Sequence, residues 1–467
     1  MKSFKIQDIE WFVDDERLIP ALEGIVIPEG GRRSYIIARY HGGQVFIKSF
    51  AEKGLPGFIR NRVASRGKRE YALGNRLLSL AIPTPKPLGY GISRMGSYII
   101  QQWIAGKSLT AALKESDYDA ELLIKLAELL KMLKIHHVRH NDLHLDNILA
   151  VDRELYLVDL HKMKIKGSFS LLDEVTNLSH ALANIYNDLD AHEREAFFAH
   201  YGNPGIKETV GRALDRLAAR WIRKKKERAF QETSMIVARE NRLYRAGMEG
   251  KATGELTGVI KTDRKVRVER FTDHIRKTYM NKRRLEKAWK VHVVLAYMEL
   301  NIVPHVFFVE LPSENRTGFI AMEDVQDKGQ ELDRFLDGRY DTLSGHERRL
   351  FVNSLVNFLL MLTRKKIVHK DLKACNIFVQ NDGSFILLDA EDIRFKALDE
   401  ETLKRMLIQL NTTIPRRIAF RDRIRFFIKL TSPMALNKKA IFKAVVKESM
   451  RREIVYEGIG GLMRESW

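Results

Sequence analysis

Two short stretches of the chain place an acid and an amide five residues apart: Asp142 and Asn147 in HNDLHLDNIL, and Asp371 and Asn376 in HKDLKACNIF. Each is followed by an apolar run ending in a second acid, LYLVDL with Asp159 and FILLDA with Asp389. A turn and a strand lie between amide and second acid, so a hairpin can bring both to one Mg²⁺. These groups suit phosphoryl transfer, in which a protein chiefly positions reactants and neutralises charge. Such a site needs a carboxylate near the acceptor hydroxyl's proton. It also needs an amide and a second carboxylate on the metal, and a lysine on the α- and β-phosphates braced by a glutamate. The bland alternative is a pair of buried Asp/Asn turns in a duplicated structural protein.

The elements that would position these groups recur in the same order. QVFIKSF (44–50) matches KVRVERF (265–271), each after a strand-like run, SYIIARY or ELTGVIK. A helical pattern follows in each half, REYALGNRLLSLAIPTP and KAWKVHVVLAYMELNIVPH, and both leave the helix through an apolar-Pro step. Another strand (SYIIQQWI; GFIAMEDV) and a long apolar helix then lead to the His of each loop. A unit of roughly 230 residues is too large for a solenoid repeat and ordinary for a domain. The expected fold class is α+β, two tandem protein-kinase-like bilobal domains at 1–228 and 229–467, with ATP between a sheet lobe and a helical lobe. The run Arg223–Arg228 near the junction reads as a solvated helix face or linker, with a membrane-headgroup patch as the sharper alternative.

With 467 residues, 45% of them hydrophobic, both halves can bury cores. The 80 Lys and Arg against 60 Asp and Glu give a formal charge of +20, a field that attracts polyanions without choosing among them. No zinc-ligand spacing, RNP-like aromatic motif or evident helix-turn-helix points to nucleic acid, and none is expected as a partner. The single cysteine, Cys375, fits a reducing compartment that contains ATP. No apolar run is long enough to span a bilayer and no signal-peptide core opens the chain. The expectation is a cytoplasmic protein, soluble or peripheral at the inner membrane.

HNDLHLDNIL…LYLVDLHKMKI, HKDLKACNIF…FILLDAEDIRF, IPTPKPLGYG and KAWKVH resemble the lipopolysaccharide kinase (Kdo/WaaP) family, twice over and across nearly the whole chain. The resemblance implies ATP- and Mg²⁺-dependent phosphorylation of Kdo or heptose in the lipopolysaccharide inner core. The substrate would be a lipopolysaccharide precursor or another lipid-linked glycan, met at an anionic membrane surface. By position it makes Asp142 the catalytic base, Asn147 and Asp159 the metal ligands, Lys48 the phosphate-gripping lysine and Glu70 its brace. Asp371, Asn376 and Asp389 take the same places in the second half.

Several features depart from the pattern. Neither Asp159 nor Asp389 is followed by Phe-Gly, and Gly24, Gly30 and Gly31 lack phosphate-loop spacing. Aligning FIKSF with RVERF sets Glu269 where Lys48 stands, and a carboxylate there would repel triphosphate. Lys261, expected opposite Val266, would face away from Glu269. Lys251, in the loop MEGKATGELTG, is the candidate to reach phosphate instead, beside the bland reading of a solvated lysine. Glu286, before KAW, is a poor match for the brace, because its helix register differs from the first half by several residues. Lys373, two residues after Asp371, sits where many protein kinases place a lysine that helps the transferred phosphate, and the first half has His144 there instead. On these grounds the second half is expected to bind ATP weakly or not at all. A protein kinase or pseudokinase regulator, and a non-catalytic basic binding module, stay open as alternatives.

Overall fold

The computed structural model describes residues 1–25, 35–40, 43–51, 65–94, 96–313 and 317–467. Gly30 and Gly31 lie outside them. The fold is α+β, and the chain divides into two compact units, Met1–Ala218 and Ala219–Trp467. The division falls within the helix Lys207–Glu227. Part of the basic run there is packed: the Lys225 ammonium sits 3.5 Å from the Tyr297 ring centroid and that of Lys226 5.1 Å from Phe395.

In the first unit, β1 (Lys2–Ile6), β2 (Ile9–Val13), β3 (Tyr35–Tyr40), β4 (Gly43–Ala51), β5 (Pro87–Ile92) and β6 (Gly96–Gln102) form one antiparallel sheet, ordered β1-β2-β5-β6-β4-β3. Along β4, Val45 and Ile47 bury into the core with Trp11, Val13 and Ile100. Side chains alternate on a strand, so Lys48 points to the other face. Between β4 and β5 lies α1 (Arg66–Ser79), started by Ser65, whose hydroxyl accepts from the Lys68 N–H. Gly67, Glu70, Gly74 and Leu77 are its buried residues, one stripe at helical spacing that carries a glutamate among small and apolar groups.

A second core joins Leu77 to the long helix α2 (Ala120–Ile135) and the loop beyond it. Two short hairpin pairings frame that loop. β7 (Val138–His140) pairs with β10 (Met163–Ile165), and β8 (Ile148–Val151) with β9 (Glu154–Leu157).

The second unit repeats the plan with one more strand. Its sheet holds β11 (Ile236–Arg239), β12 (Arg242–Arg245), β13 (Leu256–Thr262), β14 (Val266–Phe271), β15 (Ile275–Tyr279), β16 (Val306–Glu310) and β17 (Phe319–Met322), ordered β11-β12-β16-β17-β15-β14-β13. Between β15 and β16 lies α3 (Lys282–Tyr297), and α4 (Gly345–Arg364) leads to β18 (Ile367–His369). Then come β19 (Ile377–Gln380), β20 (Phe385–Leu387) and β21 (Ile393–Phe395), paired as in the first unit.

The N-terminus of α1 is pressed onto β6. Gly67 donates its N–H to Ser97 Oγ at 3.1 Å, and a Cβ at Gly67 would meet Tyr98 O at 2.1 Å. Backbone cannot yield as a side chain would, so Gly67→Ala must lift the helix and Glu70 with it. Overpacking of this kind costs about 1–3 kcal/mol, which chemical denaturation will register. An unchanged midpoint would show that the helix is not held at this contact.

Candidate active site

Lys48 is only 4% exposed, and its ammonium must find charge partners inside the protein. Three elements supply them. Nζ lies 3.3 Å from both oxygens of Glu70 on α1, and it donates to Asp159 Oδ1 just after β9. The same ammonium stands 4.8 Å from the Phe50 ring centroid. Asp159 has φ of 59°, a left-handed backbone that an aspartate tolerates and that turns its carboxylate back toward the lysine. His161 Nδ1 sits 2.7 Å from the same Oδ1. Burial alone would raise the Asp159 pKa, but the hydrogen bonds from His161 and Lys48 hold it well below the carboxylate range. Burial dominates at Glu70 and pushes its pKa up, against the pull of Lys48.

Asn147 donates its amide N–H to Asp142 O at 2.9 Å, which ties the two ends of the loop and leaves Oδ1 as the acceptor of that amide. Asp142 is partly exposed and accepts from Lys162, three residues past Asp159. Burial raises its pKa, and the Lys162 hydrogen bond and charge more than offset this, so the carboxylate is ionised and able to take a proton at neutral pH. His144 sits 3.9 Å from Asp142 Oδ1. The backbone N–H of Asp142 donates to Nδ1 of the buried His140. Asp159 with Asn147 offers hard oxygen donors of the kind Mg²⁺ takes. One ammonium between two carboxylates also leaves negative charge for a cation to offset. Glu70, Asp159 and His161 put ligand atoms within 4.8 Å of one another, but two of the three already contact Lys48.

In the second unit Asn376 donates to Asp371 O at 2.7 Å, Lys373 reaches Asp371 Oδ2 at 3.1 Å and Gln409 donates to Oδ1 at 2.9 Å. Asp389 repeats the left-handed backbone, with φ of 54°. Its lysine is neither Lys251 nor anything at Glu269. Lys277 on β15 donates to Asp389. Lys251 is exposed in its loop, and Glu269 pairs with Arg267 at 2.8 Å. Lys261 stands opposite Val268 rather than Val266. Glu286 meets Lys290 on its own helix at 3.9 Å.

Sequence reasoning therefore missed Lys162, His161, Lys277 and Glu391. The signal for three of them was the contrast DLHKM against DAEDI after the second acid. Lys277 lay one strand further along than the aligned RVERF.

A strand lysine, a helix glutamate, a loop acid-amide pair and an acid after the next hairpin are the groups that a phosphoryl-transfer site requires. Residues 58–199 match the model of the lipopolysaccharide kinase (Kdo/WaaP) family, a span that holds Glu70, Asp142, Asn147 and Asp159. That family implies a phosphotransferase. The matched span begins after Lys48 and ends before the second unit. No curated protein matches the chain.

Burial pushes the His140 imidazole down to about 4, and its role as acceptor requires the neutral ring. Unfolded, it titrates near 6.5, so the unfolded chain binds the extra proton between the two values. Stability is then lost as pH falls through that window, by about 3 kcal/mol from this residue. His140→Asn, which presents Oδ1 in place of Nδ1, should flatten the pH dependence of the denaturation midpoint between about pH 6.5 and 4. An unchanged slope would show that the His140 pKa is ordinary.

Proposed function

We propose that the first unit transfers the γ-phosphate of ATP to a hydroxyl of an inner-core lipopolysaccharide sugar, Kdo or heptose. The observation that carries this reading is the convergence of Lys48, Glu70 and Asp159 from strand, helix and loop onto one buried charge cluster beside Asp142 and Asn147. Lys48 is held ready for the α- and β-phosphates by Glu70, while Asn147 and Asp159 are the residues that would hold Mg²⁺. Bound there, the metal supplies charge neutralisation on the phosphates. The acceptor oxygen attacks the γ-phosphorus, the bond to the ADP oxygen breaks, and Asp142 takes the hydroxyl proton. Lys162, beside Asp142, offsets the charge gathering on the transferred group.

Labelled ATP with Mg²⁺ and a panel of lipopolysaccharide precursors tests the reading. Label should enter the glycolipid. Label in protein alone, or nowhere, would overturn it. Asp142→Asn should lower the rate on the order of 10²- to 10⁴-fold with an unchanged melting temperature. Survival of activity within a few-fold would remove Asp142 from the mechanism.

The substrate's location supports attachment at the cytoplasmic face of the inner membrane. Among the described residues no helix is long and apolar enough to cross a membrane, and the formal charge of +20 is a means of peripheral attachment. Basic residues near an anionic surface contribute about 1 kcal/mol each, screened over a Debye length. Binding to vesicles rich in anionic lipid should fall steeply from low to physiological salt. Binding indifferent to salt, or none, would refute attachment by charge.

A further inference from the structure

Strand order places β15 beside β17 as β4 lies beside β6. Lys277 opposite Ile320 thus holds the position that Lys48 holds opposite Ile99. The helices register from their ends. Ala81 and Glu299, each just past its helix, both have positive φ, of 56° and 55°, and the next amides reach back alike, Ile82 to Leu77 O and Leu300 to Leu295 O. Counted back from those residues, the place of Glu70 is taken by Ala288, which is fully buried and carries no charge.

The missing carboxylate arrives from elsewhere. Glu391, two residues after Asp389 and in the place of His161, is 1% exposed and lies 3.0 Å from Lys277. Arg284 is also 3.0 Å from it, and Tyr279 Oη donates to it at 3.2 Å. Two cations balance two carboxylates, which a buried cluster requires. On the same sheet face, Lys261, Val268 and Lys277 stand in line across β13, β14 and β15. Glu269 belongs to the opposite face with Val259 and Arg276, and brings no negative charge to this one. The hairpin joining β13 to β14 adds Arg264 and Lys265. Asn376 and Asp389 repeat the oxygen donors of the first unit, the donor type that a hard divalent cation takes.

We propose that the second unit is a second binding site for a nucleoside triphosphate with a divalent cation. Lys277 grips the phosphates, Lys261 lies on the same sheet face two strands away, and Glu391 is the positioning residue for Lys277. Because Glu391 and Asp389 belong to one three-residue segment, this grip is assembled without a carboxylate from α3. All of these residues lie outside the first unit.

Calorimetric titration of ATP with Mg²⁺ into the full-length chain tests it. Two equivalents are expected for the parent, one each for Lys48→Met and Lys277→Met, and none for the double variant. A single equivalent that vanishes with Lys48→Met would overturn the second site and leave the first intact. A single equivalent that vanishes only with Lys277→Met would do the reverse. Melting curves identify any variant that fails to fold. The exposed Lys261→Ala gives an independent reading: several-fold weaker binding in the Lys48→Met background at unchanged melting temperature, where unaltered binding would remove Lys261 from the site. In that background Glu391→Ala should lose binding, and adding Ala288→Glu, which returns the carboxylate to the helix, should restore it. Binding unaffected by Glu391→Ala would end the positioning role.

Discussion

The ammonium of Lys48 is the charge on which the first unit's arrangement depends. An amine buried this deeply is tolerated only where carboxylates meet it, and removing one partner of a buried pair costs several kcal/mol. Its partners come from a helix 22 residues away and from a loop 111 residues away. The sheet, the start of α1 against β6 and the hairpin β8–β9 must therefore all be in register before that charge is satisfied. The constraint joins the sheet core to the helical core, since Leu77 of the glutamate-bearing helix belongs to the latter.

The second unit meets the same requirement with different residues. Where α1 supplies Glu70, α3 supplies Ala288, and the carboxylate comes from Glu391. Where the first unit sets Lys162 on its loop aspartate, the second sets Lys373 from within the loop. In each case a charge is preserved at a point in space while its position in the chain is not. Electrostatics acts on distance and burial, so substitution at one element can be offset by another element that faces the same point.

Asp142, Asn147 and Asp159 were legible because their relation is local: a tight loop and one hairpin fix their spacing almost independently of the rest. Lys48 and Glu70 were legible for a related reason, a strand pattern and then a helical pattern whose buried stripe contains a single acid. Lys277 was hidden because three consecutive short strands, β13, β14 and β15, each read as a polar alternating run. Neither the apolar pattern of VRVERF nor that of IRKTY says which lies beside the strand Phe319–Met322. Choosing RVERF as the counterpart of FIKSF moved the lysine by one strand and put Glu269 in its place.

The sequence by itself determined the repeated loop chemistry, the order of elements and the excess of positive charge, because these follow from spacing, periodicity and composition. Only the tertiary structure decided which lysine meets Asp159 and Asp389 and which carboxylate meets each lysine. Those pairs lie more than a hundred residues apart for Lys48 with Asp159 and for Lys277 with Asp389 and Glu391. Their meeting depends on strand order, on helix register and on the left-handed turn at Asp159 and Asp389. Strand pairing is a property of the assembled sheet, in which hydrogen bonds and burial over all strands are satisfied together, and no local pattern encodes it alone.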